Sequence, residues 1–257
     1  MCKDCDTSTS SIHEFGKKMK ILILGAGGVG GFFGARLIQA GADVTFLLRD
    51  KRNQKIKSEG LVIETPKETF TVQPKTVTRE QLKPDYDLIV LAPKAFDFED
   101  ALASLEGASA KGVFLPFLNG LSHIQTLDEK FGKDRVMGGV AQIAATISST
   151  GAVKQLTELG ALTVGHRTAA HETLAREFFT LCEKASFDKL YSENIEQSLW
   201  DKWVYLSTLA GMTTMCRGNV GKIASAPWGV ETMTSFYAET CAIAQANGFP
   251  TKESAQK

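Results

Sequence analysis

The stretch KILILGAGGVGGFFGARLIQAGADVTFLLRD (residues 20–50) contains two kinds of apolar patterning. Residues 21–24 are apolar at every position, as in a strand covered on both faces of a parallel sheet. Residues 29–40 form a helical run that stops at Gly41, a usual C-terminal residue, and residues 44–48 predict the next strand. After a charged stretch, LVIE and TFTVQ flank Thr65-Pro66-Lys67 and predict a short hairpin. DYDLIVLAPKA and GVFLPFLNG predict two more buried strands, with a helix over 97–105 between them. This alternation predicts an α/β fold with a doubly wound, Rossmann-type sheet.

Farther along, residues 135–164 predict short β segments with turn signals such as Ser148-Ser149-Thr150-Gly151, and a helix follows over 169–184. From Ile195 onward no strand is visible, and helical runs cover 196–215 and 227–247. The expected organisation is a polar, disordered leader at 1–18, a dinucleotide-type α/β domain at 19–193, and an all-helical C-terminal domain at 194–257.

Composition removes several function classes. The 29 basic residues balance 29 acidic ones, so no net field recruits nucleic acid or an anionic membrane. No apolar run is long enough to span a bilayer. The leader MCKDCDTSTSSIHEFGKK lacks the apolar middle of a signal peptide, and Met19 is the expected start of the folded protein. The five cysteines (Cys2, Cys5, Cys182, Cys216 and Cys241) are odd in number and scattered, which argues for free thiols in a reducing cytoplasm. Cys2 and Cys5 form a CxxC without a second pair or nearby histidines, so no metal site is expected.

Gly25-Ala26-Gly27-Gly28-Val29-Gly30 fits GxGxxG, and it follows an apolar strand and opens a helix, the context that gives this pattern specificity. Gly25 permits the tight turn, Gly27 lets the backbone approach a pyrophosphate, and Gly30 lets helix and strand pack closely. The second strand ends at Arg49, followed by Lys51 and Arg52, where NAD enzymes usually carry an acid. A cation there suits a 2′-phosphate and favours NADP; Asp50 falls one residue late for the acidic role.

LWDKWVYLSTLAGM (residues 199–212) places Lys202 among Trp200, Trp203, Val204, Leu206 and Leu209. Desolvation there lowers a lysine's pKa, as a proton donor working near neutral pH requires. The competing reading is a helix lysine reaching to solvent beside Asp201. Asn119 closes a predicted strand, at the edge where open α/β sheets bind ligands, and Lys94 sits at an equivalent strand end. His123 reads as a surface histidine at a helix start.

The glycine loop, APKAF (residues 92–96), FLNG (117–120) and SLWDKW (198–203), in this order and spacing, resemble the ketopantoate reductase family, from Met19 to the end of the chain. The resemblance implies NADPH-dependent reduction of a small 2-oxo acid, 2-dehydropantoate to pantoate, in pantothenate biosynthesis. It implies Lys202 as general acid and Asn119 as a contact to both nicotinamide and substrate. It also implies Lys94 beside the cofactor, Arg49 on the 2′-phosphate, and Ala144, within a residue or two, as a backbone cofactor contact.

Two departures qualify that expectation. Where the family's lysine helix carries substrate-lining asparagines four and eight residues on, this chain has Leu206 and Ala210, so the substrate pocket is expected to differ. The chain also ends at GFPTKESAQK, about where the family continues with more helix, which predicts an uncovered apolar face and either dimerisation or low stability. The alternatives are a 2-hydroxyacid dehydrogenase with a more apolar pocket and a non-catalytic NADP-binding protein.

Overall fold

The computed structural model describes residues 18–105, 108 and 111–251; the leader with Cys2 and Cys5 and residues 252–257 lie outside them. In chain order, β1 (Lys20–Leu24) and α1 (Gly28–Gln39) lead into β2 (Asp43–Leu47) and α2 (Asp50–Glu59). The strands β3 (Leu61–Glu64), β4 (Thr69–Val72), β5 (Lys75–Val77) and β6 (Leu88–Leu91) precede α3 (Phe98–Ala103), β7 (Val113–Pro116) and α4 (Ser122–Phe131). Next come β8 (Gly138–Ile147), β9 (Val153–Gly165), α5 (Glu172–Glu183) and β10 (Asp188–Tyr191). The helices α6 (Ile195–Met215), α7 (Val220–Ala224) and α8 (Gly229–Ala246) complete the described chain.

Five strands in the order β5-β2-β1-β6-β7 form an all-parallel sheet, the doubly wound arrangement expected from the apolar runs. The strand order reverses at β1, so the C-terminal ends of β1 and β6 frame the crevice where such sheets bind ligands. Both faces are covered. One core joins Ile21, Ile23, Phe33, Phe46 and Val90 to the inner face of a second sheet, and the other joins Leu22, Ile89, Leu91 and Phe114 to α3, α4 and the start of α6.

The second sheet has the order β10-β9-β3-β4, with β8 paired to β9. The β3–β4 hairpin forms as its sequence predicts. Residues 135–164, by contrast, are not short segments: β8 and β9 run for 10 and 13 residues as one antiparallel pair, with a register shift between Ile143 and Ala145. Residues 156–159 are all exposed at that irregularity, so the inward-outward alternation that marks a long strand is lost there while pairing resumes beyond it.

α1 lies between the two sheets, which explains its small residues. A Cβ on Gly31 would stand 2.7 Å from the Val153 side chain, and one on Gly34 would stand 2.5 Å from the Phe46 ring. The charged stretch after β2 is a helix, α2, that the apolar pattern does not reveal because only Asn53 and Ile56 of it are buried. β5, β10 and α7 are short elements that the same pattern also leaves unmarked.

α6 runs for 21 residues and begins at Asn194, whose side chain accepts from the Gln197 amide at 3.2 Å. It packs on β8 and against α8, where the Thr208 and Thr240 hydroxyls meet at 3.0 Å in a buried contact. Met215, Trp228, Val230 and Ile243 of this helical region are exposed. Among the described residues no helix is long and apolar enough to cross a membrane.

Candidate active site

The glycine loop leaves β1 at the reversal point of the sheet. Gly25 takes φ +86°, a conformation that favours glycine, and nothing would meet a Cβ at Gly25 or Gly27, so this stretch of backbone is open to a ligand. Gly30 is the opposite case: a Cβ there would lie 2.6 Å from the Gly25 carbonyl oxygen and 3.1 Å from the Ala92 methyl. No side chain caps the N-terminus of α1, so the first-turn N–H groups stay available to an anion. The open glycines and the uncapped helix end suit a dinucleotide pyrophosphate.

The β8–β9 hairpin roofs the loop. The Ala145 carbonyl oxygen fills the position of a Gly28 Cβ, at 2.7 Å, and Ala144 stands exposed beside it at the register shift. Arg52 of α2 clamps this roof to the loop: it donates to the Gly151 carbonyl at 2.7 Å and to the Ala26 carbonyl at 3.3 Å. Lys55 adds a bond to the Thr150 carbonyl at 2.6 Å. Arg52 is therefore structural to the cradle, a role that its place in a run of surface charges does not announce.

Arg49 precedes α2 at the end of β2 and is exposed; its guanidinium donates to Asp100 at 2.8 Å. Lys94 follows β6 and Asn119 follows β7, and both are exposed at the same edge of the sheet. The glycine loop, Arg49, Lys94 and Asn119 thus all stand at C-terminal strand ends.

Lys202 extends from the helical region to the second sheet, near enough to His123 for its charge to act on that imidazole. Its Nζ donates to the Ala141 carbonyl of β8 at 2.8 Å, and burial pushes its pKa down from 10.5 to about 8. The lowered value is the one its apolar neighbours predict, and the solvent-reaching alternative does not describe this side chain. Leu206 is half-buried and Ala210 exposed, one and two turns farther along the helix from Lys202.

His123 is not a surface residue. It is 5% exposed in the first turn of α4, four residues after Asn119, with its ring steeply inclined to that of Phe98 and its Nε2 buried without a partner. Burial first, then the charges of Lys202 and Arg167, pushes its pKa down to about 4. The sequence does hold a signal for this: His123 shares a helix face with Leu127, which is fully buried.

A further buried group fixes the start of α6. The Arg167 guanidinium donates to both Asp128 carboxylate oxygens at 2.7 Å and to Glu196 at 3.2 Å, tying α4 to the first turn of α6. Its presence means that the helix carrying Lys202 is held by charge as well as by packing.

Residues 21–169 match the family model "Ketopantoate reductase PanE/ApbA" and residues 194–257 match "Ketopantoate reductase PanE/ApbA C terminal". The chain is 29% identical over 233 residues to the uncharacterized oxidoreductase YkpB of Bacillus subtilis, covering 90% of this chain and 77% of that protein. It is also 29% identical over 230 residues to a 2-dehydropantoate 2-reductase of Pyrococcus abyssi, covering 90% and 75%. A solved 2-dehydropantoate 2-reductase from Geobacter metallireducens superimposes with TM-score 0.79 at 25% identity, over 93% of this chain and 80% of that one. A D-mandelate dehydrogenase with NADH and anilino(oxo)acetate superimposes with TM-score 0.79 at 23% identity, over 91% and 76%, and shares the fold.

Proposed function

The chain belongs to the ketopantoate reductase family, whose members are NADPH-using oxidoreductases, and on that premise we propose that it reduces 2-dehydropantoate to pantoate with Lys202 as general acid. In this reading residues 19–193 hold NADPH and residues 194–257 supply the proton donor. The open backbone at Gly25, Ala26 and Gly27 and the first-turn amides of Gly28, Val29 and Gly30 bind the pyrophosphate. Arg49 takes the 2′-phosphate, while Lys94, Asn119 and the backbone at Ala144 complete the cofactor's bed.

Bound NADPH supplies the hydride to the ketone carbon. This chain's own task is the oxygen. As the C=O bond becomes C–O–H, the Lys202 ammonium gives a proton to that oxygen and is left as a neutral amine, which solvent reprotonates. With a pKa of about 8 the group is mostly protonated at neutral pH and still a better donor than a solvated lysine. The Ala141 carbonyl fixes the Nζ position, and the Asn119 amide donates a hydrogen bond to the substrate. The observation that carries the proposal is this desolvated lysine, tethered to the Ala141 carbonyl and close enough to His123, four residues past Asn119, for its charge to be felt there.

A second reading rests on Leu206 and Ala210, which offer no polar group to a substrate hydroxyl. It assigns a 2-oxo acid with an apolar side chain. Steady-state NADPH oxidation with 2-dehydropantoate and with branched and aromatic 2-oxo acids, compared by kcat/KM, tests both. The first reading expects 2-dehydropantoate to lead; an aromatic or branched acid leading overturns it in favour of the second. Tight NADPH binding with no turnover of any of these acids overturns both.

A further inference from the structure

β1 has β2 on one side and β6 on the other, so the segments that follow these two strands flank the mouth of the glycine loop. Arg49 comes from the β2 side. Asp97 and Asp100 come from the β6 side, just before and within the first turn of α3. The guanidinium of Arg49 meets Asp100 at 2.8 Å and Asp97 at 3.6 Å, so an ion pair spans from one flank to the other. All three side chains face water, and Arg49 and Asp100 are 79% and 71% exposed.

The tip of the second strand is where a dinucleotide's adenosine ribose is read, with an acid for a 2′-hydroxyl or an arginine for a 2′-phosphate. Here the two kinds of group occur together, the arginine on one strand end and the acids on another. A 2′-phosphate must draw Arg49 away from both carboxylates and then sit near their negative charge. A 2′-hydroxyl meets no such opposition and can donate to either carboxylate.

We propose that Asp97 and Asp100 are specificity-determining residues that hold Arg49 in competition with the cofactor's 2′-phosphate and so reduce the preference for NADPH over NADH. The inference rests on the reading of Arg49 as the 2′-phosphate ligand. Exposed ion pairs are weak and salt-sensitive, so the expected effect is modest, between roughly threefold and tenfold in relative affinity.

The test is fluorescence titration of the full chain with NADPH and with NADH, at low and at physiological salt, using wild type, Asp97→Asn with Asp100→Asn, and Arg49→Ala. The double variant is expected to tighten NADPH by about threefold to tenfold while NADH is unchanged or weakens, with a smaller shift at higher salt. A change of less than twofold in the ratio of the two Kd values, in a variant with an unaltered melting temperature, overturns the inference. Arg49→Ala separates the two ideas. If it weakens NADPH selectively while the acid variant does nothing, only this inference fails; if it leaves the NADPH to NADH ratio unchanged, the reading of Arg49 itself fails.

Discussion

Lys202→Met should make the protein more stable, because burial holds a charge that water would solvate better. The folded-state pKa of Lys202 is about 8, against 10.5 for the ordinary group. The unfolded chain therefore binds the proton more tightly, and the folded protein is destabilised in full at every pH below about 8. Between 8 and 10.5 stability rises with pH, and above that window both states carry a neutral amine. At ~1.4 kcal/mol per pH unit the gap corresponds to about 3 kcal/mol. Losing the charge-assisted bond to the Ala141 carbonyl offsets about 2 kcal/mol of this, which leaves a net gain of about 1 kcal/mol at pH 7 for a methionine of similar volume. Urea denaturation followed by circular dichroism at pH 7 and at pH 10 reads the difference directly. The advantage of the variant should be largest at pH 7 and nearly gone at pH 10. A variant that is less stable at pH 7, or whose advantage is the same at both pH values, refutes the claim that Lys202 is a desolvated cation.

Other residues give independent tests. His123, neutral in the fold with a pKa of about 4, disfavours the folded state as pH falls from 6.5 towards 4; His123→Leu should abolish about 2 kcal/mol of the stability lost between pH 7 and 4.5, and equal acid sensitivity in both proteins would show that the imidazole is not buried. Asp128→Asn removes the bidentate partner of the buried Arg167 and should cost about 3 kcal/mol of stability in denaturant titrations, whereas a loss indistinguishable from a surface substitution would mean that Glu196 alone suffices. Gly30→Ala places a Cβ 2.6 Å from the Gly25 carbonyl oxygen, so the loop must shift and the Kd for NADPH should rise by about tenfold; an unchanged Kd by fluorescence titration contradicts the role given to the loop.

The sequence makes the parallel sheet and the long helices legible because each buries a continuous or periodic apolar face: β1, β6 and the extent of α6 fall where the pattern puts them. The direction of the Lys202 shift is legible in its apolar run, although the one polar contact the side chain makes is with Ala141 of β8, sixty-one residues away in sequence. What escaped depends on contacts between distant segments. Nothing local in β3 says that it lies parallel to β9, about ninety residues away by the paired register of Ile63 and Val153. α2 is anchored by two residues, and Arg52 does its work through two carbonyl oxygens that belong to other loops. A histidine after an Asn-Gly turn reads as solvated, whereas the fold buries His123 with the distant Phe98 ring beside it. The Arg49 pair with Asp97 and Asp100 depends on strand order, with β1 lying between β2 and β6 although they are far apart in sequence.

The central claim is that Lys202 delivers the proton. Its most direct test is the rate of NADPH oxidation with 2-dehydropantoate, measured for wild type and Lys202→Ala alongside the Kd of each for NADPH. The account predicts that the variant binds NADPH like wild type while kcat falls by roughly 10²- to 10⁴-fold. Turnover by Lys202→Ala within a few-fold of wild type, with the same cofactor affinity, would contradict it.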